Sequence, residues 1–439
     1  MRFCCVTLGC KVNQFEAQAI ESILISRGHT PVKPGGGSDA CIVNTCAVTA
    51  ESVRKSRQAV RRARKTEPGA LIAVCGCYSQ LAPMVAEALG ADLVGGSGQR
   101  LEFALEVERR VSDKAPSTCH YDSAPRPFDM LFEELPPVGC EAARTRALLK
   151  IQDGCDNFCA YCIVPFARGC ARSLPIGRAS EQARRLGEQG FREIVVTGIE
   201  ISSYGKDLTG NGGLHPALTD VVREICCAAP LARVRLGSLD PGALSEEFCL
   251  KLREIPNICD HFHLSLQSGC DDTLRRMGRK YHTVDVLESV ATLRRLFPGC
   301  GITADLIAGF PGESEAEFEE TLAFIKRARF SQMHIFPFSS RPGTRAEAMP
   351  EQVEKSVKIR RARVAAAVAA EMSRDFILEQ TGKIVQVLLE HRRGGFWIGH
   401  SGNYIEVTVK NGEGKNRMCP VRIKGLENGK AWGEVEGFD

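Results

Sequence analysis

From residue 1 to about residue 106 the chain alternates short apolar runs with stretches whose apolar positions recur every three to four residues. The runs are RFCCVTLG, ACIVNT, ALIAVCG and ADLVGG, and FEAQAIESILISRG and APMVAEALG are among the stretches between them. Short unbroken apolar runs suit strands buried on both faces, and the 3.6-residue period suits covering helices. This alternation predicts a parallel sheet with helices packed on it. The proline-rich PSTCHYDSAPRPFDMLFEELPPVG then breaks the pattern, so 116–140 reads as a linker.

The alternation resumes for six rounds, with strand candidates ALLKIQDG, EIVVTGI, ARVRLGSL, HFHLSLQ, ITADLIAGF and QMHIFPFS. Six strand-helix units suit a partial (β/α)6 barrel better than the closed eight-unit form. One long helix candidate, EQVEKSVKIRRARVAAAVAAEMSRDF, leads out of it. From about residue 375 short strands alternate with turn signals such as NGEGKN, the texture of a small antiparallel β-barrel of OB-like size. The expected chain is therefore α/β: a parallel-sheet domain at 1–115, a linker at 116–140, a partial barrel at 141–374 and a small β-barrel at 375–439.

Composition removes some function classes. The 439 residues are 44% hydrophobic and 25% charged, without an apolar run long enough to span a membrane. The N-terminus MRFCCVTLGCKVNQ lacks the apolar length of a signal peptide, which points to the cytoplasm. In such a chain 20 cysteines read as reduced thiols or metal ligands rather than a disulfide framework. Cys4, Cys5, Cys41 and Cys75 sit inside apolar runs and read as core residues. The net charge of +4 names no partner, but RKSRQAVRRARK at 54–65 holds seven basic residues and no acid. Arg54, Arg57, Arg61 and Arg64 share one helix face, either solvated or placed against RNA phosphates. In the C-terminal module nine basic residues balance nine acidic ones, leaving only His391, Arg392 and Arg393 beside Phe396 and Trp397 as a candidate RNA patch.

The chemistry lies in two cysteine triads. In IQDGCDNFCAYCIVPFARG, Cys155, Cys159 and Cys162 follow the first core strand, at the end of a β/α barrel where active sites form. Thiolates so spaced suit zinc or an iron-sulfur cluster. Zinc would need a fourth ligand, from Cys170 or from His120 folding back, whereas a 4Fe-4S cluster on three cysteines leaves one iron open. The second triad emerges once strands are placed: Cys10, Cys46 and Cys77 each end a predicted parallel strand, where open α/β sheets bind their ligands.

CxxxCxxC with the aromatic Tyr161 before its last cysteine resembles the radical S-adenosylmethionine (SAM) signature. The resemblance implies that Cys155, Cys159 and Cys162 hold a 4Fe-4S cluster whose open iron chelates SAM. TLGCKVNQ, NTCAVT, CGCYSQ and KIQDGCDNFCAYCIVPFARG together resemble the methylthiotransferases over essentially the whole chain. That likeness implies a second, auxiliary 4Fe-4S cluster on Cys10, Cys46 and Cys77 and a C-terminal RNA-binding-type TRAM barrel. The same motifs look most like the subgroup acting on N6-threonylcarbamoyladenosine beside the tRNA anticodon. The implied chemistry uses one SAM as methyl donor and another as the source of a 5′-deoxyadenosyl radical, with sulfur delivered to C2 of the adenine.

Further positions follow from the family. Gly198, Glu200 and Ser203 occupy the place that meets the methionine end of SAM. Ser238 and Asp240 stand near its ribose, Asp240 where relatives often carry Glu. Gln267, Gly309 and Gly312 shape the adenosine pocket. Arg168, Arg172, Arg276 and Arg279 are candidates for the SAM carboxylate or tRNA phosphates, and Cys170 stands where a basic residue is common. Implied partners are the tRNA anticodon stem-loop and an electron donor such as a flavodoxin or ferredoxin, with the chain acting as a monomer. Rival readings are the same chemistry on isopentenyladenosine or on a ribosomal protein, a non-catalytic iron-sulfur RNA-binding protein, and a structural zinc protein.

Overall fold

The computed structural model describes residues 1–113, 119–120, 127–136, 145–208, 215 and 217–437. Six parallel strands form the N-terminal sheet, in the order Thr30–Pro31, Arg2–Thr7, Ala40–Thr45, Leu71–Gly76, Leu93–Val94, Cys119–His120. Helices cover both faces. Phe3, Ile20, Leu24, Ile42 and Phe103 pack on one side, and Cys4, Cys41, Val43, Val60 and Ile72 on the other. Cys4, Cys41 and Cys75 are buried packing residues as expected, while Cys5 is half-buried.

The expected linker is only partly within the described residues, and what is described is packed. Cys119–His120 adds the sixth strand of the sheet. Leu135 is buried with Phe3 and Phe103, and Glu133 accepts the Leu101 N–H at 3.1 Å at the start of the helix Arg100–Asp113. Proline content ruled out a long element here but not docking of an irregular segment.

The core is the expected partial (β/α)6 barrel. Its parallel strands are Arg146–Lys150, Glu193–Thr197, the divided third strand, His261–Gln267, Gly301–Ala308 and Gln332–Pro337. The third strand breaks at Gly237: Arg233–Leu236 pairs with the second strand and Ser238–Leu239 with the fourth. A Cβ at Gly237 would stand 2.9 Å from the Val196 carbonyl, so the break needs a glycine. The helix Lys355–Leu378 lies along the last strands, with Ala365 buried against Leu306 and Phe318.

The C-terminal residues close a five-stranded barrel in the order Ile384–Arg393, Phe396–Ser401, Glu406–Val409, Lys430–Val435, Met418–Glu427. It is not wholly antiparallel: Glu406–Val409 and Lys430–Val435 run parallel. A closed ring with an odd number of strands cannot alternate direction throughout, so one parallel pair is forced. This barrel caps the N-terminal ends of the core strands. Arg233 donates to the Gln386 and His400 carbonyls, both at 2.8 Å, and Arg235 to those of Gly402 and Ser401 at 2.8 and 3.0 Å. Tyr404 stacks on His261 with ring centroids 4.5 Å apart. Both cysteine triads lie at the other end of their strands.

Candidate active site

Cys155, Cys159 and Cys162 lie on the loop between the first core strand and the short helix Val164–Arg168. The loop is pinned by its main chain: Cys155 N–H donates to Gly169 O at 3.0 Å, Ala160 N–H to Met277 O at 2.8 Å and Cys162 N–H to Cys159 O at 3.0 Å. Burial pushes the Cys155 and Cys162 thiols up to about 12, and Cys159 acts on both in the same direction. The Asn157 and Val164 N–H groups oppose the shift by donating to the Cys155 and Cys162 sulfurs. Arg279 Nη1 lies 3.2 Å from Cys159 Sγ.

The second triad is brought together by the sheet. Cys10 precedes the helix Lys11–Ser26, Cys46 follows the strand Ala40–Thr45, and Cys77 opens the helix Cys77–Leu81 directly after Leu71–Gly76. Gly9 lies so close to Cys46 that a Cβ there would meet the Cys46 Cβ at 2.8 Å. Cys10 is exposed at the rim, while Cys46 and Cys77 are buried. Enclosure by the surrounding chain raises all three thiols, and they raise one another in a ring: Cys46 acts on Cys10, Cys77 on Cys46 and Cys10 on Cys77. Arg168 lowers all three, and the Asn13 and Val48 N–H groups help Cys10 and Cys46.

Arg168 joins the two triads. It leaves the Cys162 loop, is fully buried, and places Nε 3.3 Å from Cys77 Sγ. Its Nη atoms donate to Glu16 at 2.7 and 3.0 Å, to Asp153 at 3.0 and 3.2 Å and to Asn13 at 2.7 Å. Arg100 and Lys150 also pair with Glu16, and Lys150 and Arg172 with Asp153. Burial favours a protonated Glu16, but Arg168, Arg100 and Lys150 outweigh it and hold the carboxyl at about 2. Four buried cations thus face two buried carboxylates, and Arg168 is the one among them that acts on the Cys10, Cys46 and Cys77 thiols, opposing the effect of burial.

These donor sets fit iron-sulfur clusters. Cysteine thiols supplied with backbone N–H donors and neighbouring guanidinium groups are suited to deprotonation, which metal binding requires. Among the described residues no three His, Cys, Asp or Glu side chains converge as a single ion needs, a demand that a cubane with its irons at separate corners does not make.

The expected SAM positions divide. Glu200 is buried beside Asp240, and burial first, then the Asp240 charge, pushes its carboxyl up to about 7. Asp240 accepts from Arg279 at 2.8 Å, and its N–H donates to Ser202 Oγ at 2.9 Å. Gly198 packs on Gln152, where a Cβ would meet Oε1 at 2.8 Å. Glu200, Asp240, Arg279 and Cys159 thus form one connected group, with Cys155 in electrostatic reach of Glu200. Ser203 is buried at the adjoining turn and Ser238 is half-buried in the third strand. Tyr161 packs edge-on against Phe310 at 6.5 Å. Gln267 ends its strand at φ 68°. Gly309 and Gly312 sit at φ +76° and +75°, and a Cβ on them would meet Lys358 at 2.5 Å and Arg276 at 3.2 Å. Turn geometry and the neighbouring chain account for both glycines.

Residues 149–325 match the radical SAM superfamily, and residues 2–96 match an uncharacterized protein family, UPF0004. Threonylcarbamoyladenosine tRNA methylthiotransferase MtaB of Bacillus subtilis is 33% identical over 98% of this chain and 94% of its own length. MtaB of Thermotoga maritima is 34% identical over 96% and 94%. The chain belongs to the radical SAM methylthiotransferase family. A second group in the family, represented by the tRNA-2-methylthio-N(6)-dimethylallyladenosine synthase of Nitratidesulfovibrio vulgaris, is 30% identical over 95% and 94%. In fold, this methylthiotransferase is similar to the radical SAM methyltransferase TsrM of Kitasatospora setae, with a TM-score of 0.56, 14% identity and coverage of 79% and 76% of the two chains.

Several basic side chains of this methylthiotransferase differ from expectation. Arg168 and Arg172 are buried in the ionic network, and Arg276 pairs with Glu317 at 2.7 Å, so these do not reach outward as free phosphate contacts. Arg64 turns back to Asp92 and the Gly90 carbonyl, leaving Arg57 and Arg61 exposed on that helix. Arg392, Arg393 and Phe396 are exposed on the Gly394–Gly395 hairpin, with Arg392 5.8 Å from the Trp397 ring centroid. No helix among the described residues is long and apolar enough to cross a membrane. Sequence reading missed Gln152, whose Oε1 accepts the Ile199 and Glu200 N–H groups at 3.0 and 2.8 Å, and the Glu16–Asn13 pair on the buried face of the first helix. Polar residues inside otherwise apolar periods were the available signal.

Proposed function

We propose that the enzyme adds a methylthio group to C2 of N6-threonylcarbamoyladenosine beside the anticodon of tRNA. The reading is supported by two cysteine triads, with one buried arginine that touches Cys77 of the second and Asp153 at the root of the first triad's loop, in a chain that is full-length similar to MtaB enzymes. Cys155, Cys159 and Cys162 would hold the SAM-binding 4Fe-4S cluster, and Cys10, Cys46 and Cys77 the auxiliary one. With SAM bound, the first cluster supplies the one-electron chemistry that yields a radical able to remove hydrogen from an unactivated carbon.

The protein's own work is placement and charge. Backbone N–H groups and Arg279 stabilise thiolates on the core side, and Arg168 does so on the sheet side. Glu200, with Ser203 beside it, would meet the methionine end of SAM, and Asp240, steadied by Arg279, and Ser238 would meet its ribose. Tyr161, Gln267, Gly198, Gly309 and Gly312 shape the surrounding walls. The working units are 1–115, 141–374 and 375–439, and the last supplies an RNA contact through its exposed hairpin. The enzyme acts in the cytoplasm as a monomer and draws electrons from a flavodoxin or ferredoxin.

The test is anaerobic reconstitution, reduction, and incubation with SAM and tRNA that carries threonylcarbamoyladenosine without the methylthio group, followed by mass spectrometry of the nucleosides. The 2-methylthio derivative is expected. SAM cleavage with product only on dimethylallyladenosine-containing tRNA would move the substrate to the other tRNA group, and absence of SAM cleavage by protein loaded with both clusters would refute the reading.

A further inference from the structure

We propose that Arg341 receives an oxyanion of the RNA substrate at the mouth between the two cysteine triads. The inference rests on the proposed function and adds a recognition contact to it. Residues 338–346 follow the last core strand and run from one triad to the other. At one end the Ala50 N–H donates to Ser339 Oγ at 2.9 Å, four residues beyond Cys46. At the other end Ala346 N–H donates to Ala160 O at 2.8 Å and Arg345 Nη2 to Phe158 O at 3.1 Å, both acceptors lying within the Cys155–Cys162 loop.

Arg341 lies between these anchors and is half-buried. Its Nε is fully enclosed without a hydrogen-bond partner, and its guanidinium pairs with no carboxylate among the described residues. Its neighbour Ser339 is anchored beside the helix that follows Cys46, and Cys46, Glu347 and Tyr78 are the ionisable groups in electrostatic reach of its guanidinium. Glu347 is engaged elsewhere, accepting the Gly343 N–H at 2.8 Å. The buried arginines near the triads are paired with carboxylates, Arg168 with Glu16, Arg172 with Asp153 and Arg279 with Asp240, while the exposed Arg345 is held by the Phe158 carbonyl. An enclosed Nε–H without an acceptor is destabilising, and the planar fork of a guanidinium matches carboxylate or phosphate oxygens two at a time. The proposed substrate offers that chemistry twice, in the carboxylate of the threonyl group and in the phosphodiesters flanking the nucleotide.

The experiment measures binding of reconstituted full-length enzyme to two fluorescently labelled tRNAs, one with threonylcarbamoyladenosine and one with unmodified adenosine at that position. Wild type, Arg341→Gln and Arg341→Lys are compared, with kcat/KM on the first tRNA and iron content as a check on loading. Arg341→Gln should weaken binding roughly tenfold or more, and Arg341→Lys should recover part of the loss. Equal loss on both tRNAs identifies a phosphate, and loss confined to the modified tRNA identifies the carboxylate. Wild-type affinity and kcat/KM in both iron-loaded variants would overturn the inference. Failure of wild type itself to bind or modify tRNA would instead overturn the functional reading beneath it.

Discussion

Arg168→Met removes the guanidinium that touches Cys77 and ties the first helix to the core, while nearly keeping its length. The side chain loses its contacts to Glu16 at 2.7 Å, Asp153 at 3.0 Å, Asn13 at 2.7 Å and Cys77 at 3.3 Å. Neither carboxylate is stranded, because Glu16 keeps Arg100 at 3.0 Å and Asp153 keeps Lys150 at 3.1 Å. The loss should therefore fall near the lower end of the about 3–5 kcal/mol typical of a broken buried ion pair. For a chain of this size that is a melting temperature lower by roughly 3–4 °C. Arg168→Lys keeps the charge but not the fork and should cost about 1–2 kcal/mol. Anaerobic thermal unfolding of the iron-free chains reads both, and iron uptake at a series of pH values reads the thiols. Since Arg168 lowers the Cys10, Cys46 and Cys77 pKa values, the methionine variant should need higher pH to load the same iron. Wild-type melting and loading in Arg168→Met, or a lysine variant weaker than the methionine one, would refute the argument.

Other outcomes follow from the same geometry. Glu200 titrates near 7 in the fold against 4.5 when unperturbed, so its contribution to stability is complete below about 4.5 and is lost as pH rises through 7. The stability of wild type relative to Glu200→Gln should fall by up to about 3 kcal/mol between pH 5 and pH 8 in denaturant titrations, and a flat difference would contradict the assignment. Gly154→Ala should destabilise by about 2–4 kcal/mol and impair iron loading, because Gly154 has φ +68° and a Cβ would fall 1.8 Å from the Cys170 carbonyl; a stable, fully loaded variant would disprove this. Cys170 is exposed, so Cys170→Ala should retain wild-type iron content, and loss of iron would sink the three-ligand assignment. Arg57→Glu with Arg61→Glu should weaken tRNA binding and flatten its salt dependence, with unchanged binding pointing to a merely solvated helix.

The elements legible in the sequence were those marked by an apolar run or a helical period. His261–Gln267 and Gly301–Ala308 stand where the apolar runs put them, and the strand ends that carry Cys10, Cys46 and Cys77 follow from three such runs. Thr30–Pro31 and Cys119–His120 were invisible because neither stands in an apolar run, whereas the equally short Leu93–Val94 does, in ADLVGG. The parallel pair in the C-terminal barrel is a consequence of ring closure rather than of any local pattern. At the site, cysteine spacing announced both triads, but a basic residue reads alike whether it faces solvent or a carboxylate far along the chain. Arg168 meets Glu16 across 152 positions, and that pairing exists only after the sheet and the core have docked.

The C-terminal barrel holds the starting ends of the core strands, whereas the cysteines open at their finishing ends. The eight-residue strand Gly301–Ala308 rises roughly 23 Å from its first residue to its last, which gives the scale of the core between the two places. On the proposed function, an RNA that touches both the cysteines and this barrel has to reach along the height of the core, so selection would involve its length as well as the base at the site.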